Sequence, residues 1–133
     1  MLRAEHTRWG MTISALWLAA AGATLLFAPD EVSEMLMPAA SNATVLVKVL
    51  GAALLGFAAM NWTARASALG GIYGRAVVVG NHMHLMIGSL LLVTSESTAE
   101  RLAAYWAFTG LYVAGAIFFT YLMFFSSGLK ASR

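Results

Sequence analysis

Long apolar runs separated by short polar breaks organise this chain. The first run covers roughly residues 9–28, from Trp9 to Ala28, and stops at "APDE", where Pro29 and two acids follow. The second covers roughly 44–64, behind Ser41 and Asn42, which are good helix N-caps. The third covers roughly 75–94, after the glycine-rich turn "RASALGGIYGR", and the fourth roughly 102–125, ending at "SSG". About 20 helical residues cross a bilayer core, so each run is long enough to span one. Runs this long and uniformly apolar do not suit barrel strands, and only helices then satisfy their own backbones in lipid. The pattern predicts an all-α membrane protein, an up-down bundle of four transmembrane helices in a single domain over 1–133.

Between the first two runs, "PDEVSEMLMP" sets Val32, Met35 and Leu36 at helical spacing between two prolines. That pattern predicts a short amphipathic helix lying on the outer interface. The two halves of the chain share no register of Gly, Trp or charge, so no internal repeat is expected, which disfavours an inverted-repeat transporter.

Composition fixes the solvent. The chain is 60% hydrophobic and 11% charged, with mean hydropathy +0.76, where soluble domains carry about 25% charged residues. A domain this small leaves about a third of its surface exposed, so that apolar surface requires lipid. There is no Cys, which removes disulfides, Cys-bound zinc, iron–sulfur clusters and thiol catalysis.

The net charge of +2 is scattered and gives no nucleic-acid patch; it reads instead as topology. Arg3, Arg8, Arg65, Arg75, Lys130 and Arg133 fall on one side of the four spans, and Lys48 and Arg101 on the other with five of the acids. The positive-inside rule then places both termini in the cytoplasm. Trp9, Trp62, Tyr73, Tyr105 and Trp106 fall near the interfaces as an aromatic belt. A cleaved signal peptide is the rival for the first run; its apolar stretch is long for one, and Pro29 obstructs cleavage after Ala28.

Candidate chemistry lies in "VGNHMHLMIG" and in the helix before it. His82 and His84 are two residues apart, about 200° around a helix, so they cannot share one ion from a single helix. His84 shares a face with Asn81 and Gly88, flanked one turn each way by Gly80 and Gly88, and is expected to be interior. His82 shares a face with Arg75, Val78, Val79, Met86 and Ser89, and is expected to look toward another neighbour, another protomer or a crevice. In the second span, Gly51, Leu54, Ala58, Asn61 and Arg65 form one helical seam. Asn61 lies about 6 Å and Asn81 about 9 Å from the inner interface, so the two asparagines are expected at one level and in contact. Arg65 and Arg75 are the charges that bound this hairpin.

The segment "LGAALLGFAAMNWTARAS…GRAVVVGNHMHLMIG" resembles a pattern in small, mostly uncharacterised bacterial four-helix membrane proteins, through "NWTAR" and a following helix with "GN" and a histidine. The resemblance implies an inner-membrane four-helix fold and brings no reaction with it.

No Ser–His–Asp set, phosphate loop or dinucleotide fingerprint appears, no carboxylate is expected inside the membrane, and the sequence requires no cofactor or metal. The expectation is a non-enzymatic structural or accessory subunit, forming a homo-oligomer or packing on a larger membrane complex. Two alternatives stay open. One is an oligomeric solute or ion transporter with His82 or His84 lining its path. The other is a module binding haem, a lipophilic ligand or copper, the last suggested by "EMLMP" and "HMHLM". The topology has a direct check: cysteines introduced at Ser97 and Ser132 should be labelled from opposite sides of the membrane, and labelling from one side would sink the four-span reading.

Overall fold

The computed structural model describes residues 2–36, 44–66, 71–94 and 103–125. The Ser41 and Asn42 cap, Pro38, the acids Glu96 and Glu100, Arg101, Lys130 and Arg133 lie outside the described residues, as do most of the "RASALGGIYGR" turn and the closing "SSG". Among the described residues, all but Ala28, Arg65, Ala66 and Gly71 are helical. The elements are α1 (Leu2–Phe27), α2 (Pro29–Leu36), α3 (Thr44–Ala64), α4 (Ile72–Thr94) and α5 (Ala103–Phe125). Four of them, α1, α3, α4 and α5, are long and apolar enough to cross a membrane, so this is a multi-pass, all-α membrane protein.

Three boundaries agree with the apolar runs to within a few residues. The exception is α1, which begins at Leu2 rather than near Trp9. The polar "RAEHTR" segment is helix-permissive and carries Glu5 in its first turn, where a carboxylate complements the helix dipole. Hydropathy sees only the part of a helix that lies in lipid. Pro29 opens α2 rather than merely ending α1. The chain bends at Ala28, and Pro29 takes the first helical position, where its missing N–H costs nothing. The expected short helix is therefore present, with Val32 and Ser33 buried, and the Thr44 hydroxyl donates to Asp30 Oδ1 (2.8 Å) to tie α2 to the start of α3.

The chain packs as two compact units, 1–65 and 66–133. Each contains one antiparallel pair of long helices, the element order of an up-down four-helix bundle. In the first unit, Gly22 meets Gly51 and Ser14 meets Asn61, so position rises along α1 as it falls along α3. In the second, Leu92 meets Tyr105, Gly88 meets Tyr112 and His82 meets Thr120.

The first pair is set by two glycines. A Cβ on Gly22 would sit 2.8 Å from the Gly51 carbonyl oxygen, and one on Gly51 would sit 2.9 Å from that of Gly22. The two backbones touch, which is how membrane helices gain packing when lipid offers no hydrophobic drive between them. Around that point four members of the expected seam, Gly51, Leu54, Ala58 and Asn61, are buried on α3 together with Val47, while Arg65 is not; Met11, Leu18 and Leu25 are buried on α1. Gly56, on the same helix, has open space where its Cβ would stand.

Gly51→Ala should therefore lower the thermal stability of the purified protein in detergent, by about 1–3 kcal/mol for an overpacked contact. Gly56→Ala should be no less stable than the parent. Equal behaviour of the two would mean the glycine contact does not set the pair.

Candidate functional site

Lipid offers no hydrogen bonds, so each polar side chain in these helices must find a partner in the protein. Most hydroxyls do so locally. Thr12, Thr24, Thr63, Ser89, Thr94, Thr109 and Thr120 each donate to a carbonyl one turn back, at 2.6–2.9 Å. Ser14 does the same to Met11. Several of the remaining polar groups join helices.

In the first unit, Asn61 is fully buried and its Nδ2 donates to Ser14 Oγ (3.1 Å), whose own proton goes to the Met11 carbonyl (2.9 Å). An amide, a hydroxyl and a carbonyl thus form one chain of donors and acceptors across α1 and α3. A turn nearer the helix end, the Arg65 guanidinium donates to the Trp62 carbonyl and lies 3.7 Å over the Trp62 ring. The cation is held there by both the helix C-terminus and a π face.

In the second unit, Asn81 is fully buried and its Nδ2 donates to the Val77 carbonyl (2.9 Å). Each asparagine thus has a partner inside its own unit. Arg75 is exposed in the first turn of α4.

The histidines depart from the expected two-face arrangement: α5 holds both. His84 Nε2 lies 3.2 Å from the Tyr112 hydroxyl, with the rings 5.5 Å apart. His82 Nδ1 lies 3.2 Å from Thr120 Oγ1. The 200° separation is real, but the α4–α5 seam, through Leu85, Gly88 and Leu92, falls between the two, so each ring leans onto α5 from its own flank. Gly88 does what small residues do at such a seam: a Cβ there would stand 2.5 Å from the Tyr112 ring. Both rings are half-buried, and both meet α5.

The missed residues are the partners, Ser14, Tyr112, Thr120 and Tyr105, the last donating from its hydroxyl to the Leu92 carbonyl (2.6 Å). Tyr105 read as an interfacial aromatic, and the others as unremarkable members of apolar runs. Their signal was a polar atom on the seam-facing side of each run.

No buried side-chain nitrogen or oxygen among the described residues lacks a partner, and no group of three His, Asp or Glu there is placed to hold a metal. Comparisons with family models, curated proteins and solved structures give no match.

Double-mutant cycles should reveal these locks. Tyr112→Phe with His84→Leu, and Ser14→Ala with Asn61→Ala, should each show a coupling of about 0.6 kcal/mol and not above about 1.7. His82→Leu should also destabilise the fold, because its ring is tied to α5. Additive effects in both cycles would show that the contacts carry no energy.

Proposed function

We propose that this protein is a small accessory or structural subunit of a bacterial inner membrane, with both termini cytoplasmic, that assembles with itself or docks on a larger membrane complex. One observation carries the reading: the polar side chains within the spans are used as locks between paired helices. Asn61–Ser14, His84–Tyr112, His82–Thr120 and Tyr105–Leu92 each join two helices of one unit. Such groups fix a helix pair and leave its outer surface to lipid or to other helices.

That outer surface is apolar and rich in large side chains, with Leu46, Val49, Leu90, Leu91, Ile117 and Phe124 all more than half exposed. In a membrane it suits helix partners as well as lipid. The described parts of α3, α4 and α5 hold no carboxylate, the usual relay group of a proton-coupled carrier.

Crosslinking in intact membranes, followed by sizing of the extracted protein, tests this function. A defined oligomer or a co-purifying membrane complex is the expected result. A protein that stays monomeric in membranes would overturn the reading. So would solute or ion flux in reconstituted vesicles that disappears with His82→Leu or His84→Leu while the fold survives.

A further inference from the structure

His82 presents a chemical asymmetry that helix locking leaves unused. Thr120 has one hydroxyl proton, and it goes to the Ala116 carbonyl at 2.7 Å. With that proton on the shorter contact, the Thr120 oxygen is left to accept at 3.2 Å, which matches it to the Nδ1–H tautomer of His82. A neutral imidazole protonated at Nδ1 carries a bare lone pair on Nε2. That nitrogen has no partner among the described residues. Because no buried nitrogen is left unpaired, Nε2 lies at the surface of the half-buried ring. His82 stands near the middle of α4, where phospholipid headgroups and bulk water do not reach.

Beside it is an open apolar groove of about 550 Å³ between α4 and α5, within the size range of small-ligand sites. Met86 and Ser89, one and two turns from His82 along α4, line it with Leu90, while Ala116, Thr120 and Tyr121 line it from α5. Thr120 is thus both a wall of the groove and the group that sets the histidine's tautomer. A surface acceptor at mid-membrane, next to an apolar trough, is complementary to a lipid-soluble molecule with an O–H on its head and a long apolar tail.

We propose that the α4–α5 groove binds a tailed hydroxyl donor of the quinol type, its head donating to His82 Nε2 and its tail lying along Leu90, Ala116 and Tyr121. The same geometry selects between redox states. A quinol donates to Nε2, whereas a quinone offers only carbonyl acceptors and leaves two lone pairs facing each other. This goes beyond the structural role proposed above and does not depend on it.

Binding of decyl-tailed quinol and of the matching quinone to the full-length protein in lipid nanodiscs tests the proposal, with ¹⁵N-histidine spectra recorded alongside. The quinol should bind about tenfold more tightly than the quinone, on the scale of one hydrogen bond gained against one acceptor left unpaired. The spectra should show the proton on Nδ1 of His82, and the Nε2 resonance should move when quinol is added. His82→Phe should abolish the preference. Thr120→Val, which frees the tautomer without removing the ring, should reduce it and bring up the Nε2–H form.

Several results would overturn the proposal. These are equal binding of the two redox forms, a preference that survives His82→Phe in a protein that still melts cooperatively, or a proton on Nε2 in the parent. A haem absorption band or bound copper lost with His82→Phe would assign the nitrogen to a metal instead. Crosslinking of two copies through position 82 would assign it to self-assembly.

Discussion

A polar group inside a bilayer has no water to fall back on, and this protein's design follows from that constraint. An unpaired amide or hydroxyl in hydrocarbon costs several kcal/mol, more than most packing contacts return. Most of the described Ser and Thr side chains therefore turn their proton onto a carbonyl of their own helix. For several other side chains a second helix supplies the partner. Asn61 needs Ser14, and His82 needs Thr120. Helix pairing and polar satisfaction are the same event in each hairpin.

The two hairpins reach that end by different means. The first brings backbones together through Gly22 and Gly51 and seals one buried amide within the contact. The second lets a single glycine, Gly88, admit the ring of Tyr112, and spends its polar chemistry on two imidazoles. Backbone contact of the first kind is intolerant of any added atom. Ring-in-notch contact of the second kind leaves space at its margins, and the groove beside α5 is such a margin.

Much of the fold was legible in the residues, because helix length, span number and the short helix after Pro29 depend on quantities a sequence carries directly. Apolar run length reads out bilayer thickness, and proline spacing reads out the break at Ala28. The N-terminal reach of α1 was not legible, since its first residues leave the lipid and hydropathy no longer marks them. The seam of α3 was legible as a stripe through Gly51, Leu54, Ala58 and Asn61 because burial follows helical period. The partners of the polar residues were not. Azimuth tells which way His82 and His84 leave their helix, but not where the neighbouring helix axis lies. An axis between them reaches both. Tyr112 and Thr120 likewise depend on the register of α5 against α4, which loop length and hydropathy leave open.

Register also decides which polar groups are finished and which are not. Ser14 donates to Met11 and accepts from Asn61, so it serves two neighbours with one hydroxyl. Thr120 likewise meets two neighbours, the Ala116 carbonyl at 2.7 Å and His82 Nδ1 at 3.2 Å. The difference lies at the far end of each chain. The Asn61 amide is sealed inside the protein, whereas the His82 ring is only half-buried and carries a second nitrogen outward. An imidazole used only as glue would be replaceable by a residue with one polar end, such as Asn or Thr, at lower cost in lipid. With the inner nitrogen donating to Thr120, as we propose, the outer one is left as a bare acceptor. Helix packing alone has no use for that acceptor, but recognition of a donor does.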